Sequence, residues 1–438
     1  MKKITLSVIG IMMLSNSLWA QKTWTLDDCI NYAMENNLTI RSAHLSTQSA
    51  EEDVKGSKGA LLPTLSASST HSVGYSPWTK STDGAKVSKS YYNGSYGINA
   101  HWTLWNGNRN HNMVKLNKLN AEQAALDAQT IANSIQEIIA QLYVQILYLN
   151  EAVKVCEQSL ETSKKNEQRG LQMLELGKMS KADVAQLSAQ RATDEYSIVE
   201  AKANIAKCKL QLKQTLELNN EISFEIEIPT ISDDQALTEI PNVMNVYEQA
   251  MLIRPEIKSS DLAVESSELS TKIARAGYMP TLSLTGSLGT NTNSRSSDKF
   301  GSQLKTNFDM GAGLSVSIPI FDGRETKTAI RKARIQQEKA IMSRMEIEDD
   351  LYRTIEEYWL DAETNQQKFR AAQATVASEQ QSYDLLQEQF QLGLKNIVEL
   401  MTGKDKLLSS QQNMLQSKYQ TILAQQMLKF YSTSRISK

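Results

Sequence analysis

The sequence repeats itself at a fixed spacing. Ile40 matches Ile257, Ser42 matches Ser259 and Leu45 matches Leu262, each pair 217 positions apart. The same offset lays LLPTLSAS (from Leu61) on YMPTLSLT (from Tyr278), and the tetrapeptide PTLS is identical at 63–66 and 280–283. Further along the offset is 216: TLWNG from Thr103 meets PIFDG from Pro319, and Leu176-Gly177 meets Leu392-Gly393. A spacing held over so much chain means that each half, 21–237 and 238–438, is one structural unit occurring twice. Two copies are too few for a solenoid, so the expected architecture is a pseudo-symmetric pair.

Each half reads as three parts. The first is a helix, 25–60 and 243–277, opened in the first half by a capping box of Thr25 and Asp28 with Trp24 before it. The second is a pair of strands. The third is a helical hairpin, about 107–217 and 323–425. No proline occurs between Pro77 and Pro229 or after Pro319, and no glycine occurs within 108–169 or 324–392. At 1.5 Å per residue these tracts make helices of roughly 90–100 Å, far beyond the globular range, which calls for a coiled-coil, fibre or tunnel setting. Ile131, Ile135, Ile138, Leu142, Ile146, Leu149 and Val153 step by threes and fours as a packing seam. Both hairpins turn in the same way. Gly177 and Gly393 stop the outgoing helix in a left-handed conformation. Ser180 and Asn396 then cap the returning one, with Asp183 and Glu399 at its third position, near the positive end of the helix dipole.

The strands, expected at 63–76, 91–105, 280–291 and 306–321, alternate apolar and polar residues. Tyr92, Tyr96, Ile98, Ala100, Trp102 and Leu104 share one face; Asn93, Ser95, Gly97, Asn99, His101 and Thr103 share the other. Phe308, Met310, Ala312, Leu314, Val316, Ile318 and Ile320 oppose Asp309, Gly311, Gly313, Ser315 and Ser317. This pattern fits a half-buried sheet and equally a membrane barrel that is apolar outside and polar inside. In a barrel the polar segments 76–91 and 289–307 face outward as loops, and Trp78, Tyr91, Tyr92, Trp102 and Trp105 form interface belts. Four strands cannot close a membrane barrel, since the smallest have eight. Two copies give a barrel that side chains fill, three give one wide enough for water, so the strand count favours a homotrimer if the chain forms a channel.

Residues 1–20 read as a secretory signal peptide: Lys2 and Lys3, an apolar run from Ile4 to Leu14, and a small residue at Ala20. The run is too short to span a bilayer, which takes about 20 residues, and no later segment is apolar enough, so any membrane crossing must use strands. With 47 basic against 49 acidic side chains the net charge is −2, which argues against a nucleic-acid binder. Three cysteines and four isolated histidines supply neither a disulfide scaffold nor a zinc site. No phosphate loop or nucleophile elbow appears, so no enzyme activity, cofactor or metal is expected. Cys156 and Cys208 lie on opposite arms of the first hairpin at different heights, and free, packed cysteines are expected.

The signal peptide, the duplicated unit, PTLS opening the strands, FDGR (from Phe321) closing them and the long helix pair with a Leu-Gly tip together resemble the TolC-like outer membrane efflux proteins, the outer membrane factors. The resemblance covers the whole mature chain. It implies a mixed α and β membrane protein: a homotrimer whose twelve-stranded β-barrel, four strands per protomer, sits in the lipid of the outer membrane of a Gram-negative bacterium. A long α-helical barrel continues it through the periplasm. An equatorial band is expected from 217–242 and the residues after about 425. The implied function is the passive outer duct of a tripartite efflux or type I secretion system, fed by a periplasmic adaptor (a membrane fusion protein) and an inner-membrane pump of RND, ABC or MFS type. A secreted or envelope-associated coiled-coil structural protein is the rival reading; it explains the helices but not strand pairs at equal offsets.

Residue by residue, the resemblance places a tyrosine, a glycine, a basic residue and two aspartates at Phe390, Gly393, Lys395, Glu399 and Thr402. The acid pair would ring the periplasmic constriction; Glu399 keeps one carboxylate and Thr402 loses the other, so a trimer has three acids where six are usual. Lys395 would latch the second hairpin to Asp183 of the first, and Phe390 has no hydroxyl to donate, leaving the shut state to packing. Leu176, Gly177, Ser180, Leu392, Gly393 and Asn396 are the implied adaptor contacts. Two departures affect only the strand-to-helix exits: Thr103 stands against Pro319, and Asn106-Gly107-Asn108-Arg109 is a looser copy of Asp322-Gly323-Arg324.

Overall fold

The computed structural model describes residues 23–75, 90–219 and 224–433. The expected signal peptide at 1–20 and the belt residue Trp78 lie outside these residues. The chain divides into two compact units. One holds the residues up to Ser42 with Gln129–Arg254 and Asp349 onward; the other holds Ala43–Ala128 with Pro255–Glu348.

Helix α1 (Leu26–Asn36) opens with the expected capping box: the Thr25 hydroxyl accepts from the Asp28 amide at 3.0 Å while the Asp28 carboxylate accepts from the Thr25 amide at 3.2 Å. Trp24, buried, anchors this entry edge-on to Tyr32 and against Phe224. The helix expected over 25–60 is broken at Asn37, whose backbone is extended, and resumes as α2 (Leu38–Gly59). Asn37 serves both sides of the break. Its side-chain Oδ1 accepts from the amides of Thr39 and Ile40, and its side-chain Nδ2 donates to the Thr215 carbonyl at 2.8 Å. The second half breaks at the equivalent residue, Arg254, between α6 (Val243–Ile253) and α7 (Pro255–Arg275). There the cause is Pro255, whose ring excludes the helical conformation from the residue before it. The buried Arg254 guanidinium lies 4.4 Å from the Tyr431 ring centre and 5.2 Å from that of Phe430, and 3.6 Å from Glu137.

The four long strands are β2 (Thr64–Tyr75), β3 (Ser90–Trp105), β5 (Thr281–Asn293) and β6 (Asp309–Ser317), and all neighbours are antiparallel in the order β2-β3-β5-β6. The register gathers apolar residues into rows across the sheet: Ala67, Ile98, Leu288 and Met310 in one, Trp102, Leu284 and Leu314 in another. The opposite face carries rows such as Ser66, Asn99, Ser287 and Gly311. The apolar face is exposed, with Leu65 at 75% and Met310 at 76%. Two expectations are corrected here. The segment 289–307 is not all loop: β5 runs on to Asn293, and α8 (Phe300–Thr306) packs beside it, with Thr290 Oγ1 donating to the Leu304 carbonyl. The fourth strand is accordingly shorter than 306–321.

The first hairpin is α3 (Arg109–Glu175) and α4 (Lys181–Thr215); the second is α9 (Glu325–Gln391) and α10 (Ile397–Thr433). Each outgoing helix spans 67 residues, about 100 Å. The α3 seam differs from the expected one. Ile146 and Val153 are buried, but Ile138 is exposed, and Ala132, Ile139 and Tyr143 supply the buried side of that stretch. The chain between the hairpins includes β4 (Glu225–Ile226), parallel to β1 (Thr23–Trp24), and the short α5 (Asp233–Ala236). That segment seats on the second hairpin: Ala236, Phe369 and Ile422 form a small core, Gln366 donates to the carbonyls of Ala236 and Thr238, and Lys418 pairs with Asp233 at 2.9 Å. Residues 426–433 continue α10 as helix. Cys29, Cys156 and Cys208 are buried and not joined in disulfides. Among the described residues no helix is long and apolar enough to cross a membrane.

Candidate functional site at the helical tips

Both hairpin turns belong to the unit that holds 129–254 and 349–433. Gly177 has φ +71° and Gly393 φ +73°, a conformation that costs an L side chain but not glycine. In each turn the residue after the glycine reaches back: Lys178 N donates to Met173 O at 2.8 Å, and Leu394 N to Gln389 O at 2.9 Å. The glycine amides donate to Leu174 O and Phe390 O. These are paired Schellman closures. The returning helices start with capping boxes, also in pairs. Ser180 Oγ accepts from Asp183 N and Asp183 Oδ2 from Ser180 N; Asn396 Oδ1 accepts from Glu399 N and Glu399 Oε2 from Asn396 N.

Lys395 does not reach Asp183 within the chain. Its Nζ donates to Glu399 Oε1 at 2.7 Å, an i,i+4 pair inside the second tip, while the Asp183 carboxylate serves the Ser180 cap and hydroxyl. Within the single chain the latch that the resemblance implies is not formed, because an acid four residues along in the same tip is a nearer partner than one on the other hairpin. The Lys395 ammonium, then the Asn396 amide, hold the Glu399 carboxyl below the usual glutamate range. Thr402, one turn on, returns its hydroxyl to the Val398 carbonyl and stays exposed.

Phe390 is buried in a cluster with Leu187, Tyr383, Ile397, Leu400 and Leu407, against which Met179 and Met401 pack. Leu187 and Met179 belong to the first hairpin and its turn, the rest to the second, so this cluster is an apolar seam between the two. Outside it the turns present apolar side chains to solvent: Leu176 is 70% exposed, Leu392 74% and Leu394 70%. Val398 joins them. Leu394 and Val398 escaped the sequence reading, although an apolar residue directly after a helix-ending glycine is a visible signal.

A second feature was missed. Lys404 on α10 forms a buried ion pair with Asp194 on α4, the side chains being 6% and 4% exposed. Ser163 on α3 bridges them, donating to Asp194 Oδ2 at 2.6 Å and accepting from Lys404 at 2.7 Å. Gln190 donates to both Asp194 and Asp405, and burial raises the Asp405 carboxyl. The available signal was a charged residue standing on an apolar stripe: Lys404 falls between Leu400 and Leu407, and Asp194 between Leu187 and Ile198. Among the described residues no group of three or more His, Cys, Asp or Glu side chains is placed to hold a metal ion.

Compared with known proteins, the model of the outer membrane efflux protein family matches this chain twice, over residues 29–217 and 246–432. The chain belongs to the outer membrane efflux protein family. The two matches coincide with the two halves that the repeats define. Among relatives, outer membrane efflux protein BepC of Brucella suis is 22% identical over 91% of this chain and 83% of its own length. The outer membrane protein TolC of Escherichia coli K12 is 22% identical over 97% of this chain and 85% of its own. Among solved structures, CusC superposes with a TM-score of 0.79 at 18% identity, covering 95% of both chains. The Campylobacter jejuni CmeC outer membrane channel superposes at 0.78 and 18%, over 93% of this chain and 85% of that one. The protein is thus a TolC-like outer membrane efflux channel, and the coiled-coil structural reading falls away.

Proposed function

We propose that three copies of this chain pool their strands into one twelve-stranded barrel in the outer membrane, continued by a helical duct whose periplasmic mouth is formed by the two tips. The observation that carries this reading is the sheet. It has an exposed apolar face, a polar opposite face and two strands, β2 and β6, each paired on one side only. In lipid an open edge leaves backbone groups without partners, so the edges must meet. Because neighbours alternate in direction through an even number of strands, β6 of one copy meets β2 of the next antiparallel, and the pattern continues round the ring.

At the mouth, Glu399 supplies the one ring of carboxylates that Thr402 does not reinforce, and each is already neutralised by its own Lys395. The duct is passive: a periplasmic adaptor docks on Leu176, Leu392 and the neighbouring turn residues, and an inner-membrane pump of RND, ABC or MFS type drives the cargo. The shut mouth rests on the Phe390 seam, with no polar tie between Lys395 and Asp183. The test is purification from outer membranes, followed by gel mobility with and without heating and by recording in planar bilayers. A heat-dissociated trimer with discrete conductance supports the proposal; a single chain that leaves bilayers silent overturns it.

A further inference from the structure

The Ser163–Asp194–Lys404 node and the Phe390 seam both join α10 to the first hairpin, but by different physics. The node ties α3, α4 and α10 with charged groups that water does not reach; Asn166 adds a bond from α3 to the Tyr383 hydroxyl on α9, at 3.4 Å. A shift of α10 against the first hairpin there parts the two charges before water can reach either, since their side chains are 6% and 4% exposed, and that costs more than parting an exposed pair. Nearer the tip the polar groups are satisfied locally, Lys395 by Glu399, Asn396 by Glu399 and Ser180 by Asp183. Below the node and its Gln190–Asp405 bond, separating the tips therefore breaks apolar contact. Contact of that kind has no preferred partner and can slide or re-form.

We infer that the Ser163–Asp194–Lys404 node is the fulcrum of the periplasmic mouth: the second hairpin swings below it while the helices stay pinned at it. This inference rests on the reading of the tips as a movable mouth. Nitroxide pairs in the full-length chain, diluted with unlabelled copies in lipid nanodiscs, test it. One pair, K178C with L394C, reports the tips. The other, T193C with K406C, sits on exposed residues beside the node. Phe390→Ala is introduced to loosen the seam. The expected result is a longer, broader 178–394 distance with an unchanged 193–406 distance, and the unchanged second distance also certifies folding. Lengthening of both overturns the fulcrum. A 178–394 distance that Phe390→Ala leaves unmoved also overturns it, by removing the movable mouth on which it rests. Asp194→Asn should broaden the 193–406 distance, and the exchange D194K/K404D should narrow it again. A broadening that the exchange fails to reverse, or no broadening at all, overturns the role of the ion pair.

Discussion

The two hairpins are built to one plan and finished differently. Their turns are superposable in chemistry: glycine at 177 and 393, a cap at 180 and 396, an acid at 183 and 399. Above the turns the plan inverts. Gly170 on α3 faces Leu187 on α4; a Cβ there would lie 2.4 Å from the leucine methyl. At the positions 216 residues on, Leu386 on α9 faces Gly403 on α10, where a Cβ would lie 2.6 Å from that methyl. The notch and the knob have changed helices. The ion-pair node has no copy at all, since Asp194, Lys404 and Ser163 correspond by the same offset to Ser410, Ser188 and Glu379. Duplication preserved what each hairpin needs in order to turn, and released what each needs in order to pack against the other.

The sharpest break in this likeness is Lys404→Met, which leaves Asp194 buried without its cation. We expect a loss of about 3–5 kcal/mol in chemical denaturation, and recovery of most of it in D194L/K404M, where nothing charged remains. Next in size, Gly170→Leu overfills a notch that Leu187 already occupies and should cost about 1–3 kcal/mol; adding Leu187→Ala should return part of it, as the exchanged arrangement of the second hairpin predicts. Removing the caps probes the shared plan: Ser180→Ala and Asn396→Ala should each cost about 1 kcal/mol, and a cost confined to one tip would show that the turns are not equivalent. A smaller effect separates the tips by pH. The Glu399 carboxyl titrates lower folded than unfolded, so its contribution is complete above the ordinary glutamate value, about 4.3, and is lost as pH falls through the lowered one. Label mobility at 394 should rise on acidification, and Glu399→Gln should abolish the acid-dependent part. Smallest of all, Leu394→Ser should leave stability within about 0.5 kcal/mol, yet weaken cross-linking to an adaptor more than Leu176→Ser does.

Much of this molecule is legible in the residues because its signals are local. The turns need glycine followed by a cap, and the strands need alternation; both appear in order at a constant offset. The break at Arg254 is foreshadowed by Pro255. That at Asn37 is not, because asparagine fits helix and cap alike and the deciding bond runs to Thr215, 178 residues away. The node is hidden for the same reason: Asp194 and Lys404 are 210 residues apart, and LysAspLys at 404–406 reads as a solvated run until the helix phase is considered. Lys395 is the opposite case. Its partner in the single chain, Glu399, is four residues away and legible in the sequence.

The singly paired strands have a consequence for genetics. If three copies close as proposed, a ring joined head to tail through β6 and β2 is only as sound as its worst member, because one blocked edge prevents closure. A cell making sound and edge-blocked chains in equal amounts, drawn at random into threes, would complete roughly one ring in eight. Damage to this sheet should behave as dominant, whereas a lesion confined to one adaptor contact would be diluted among its neighbours.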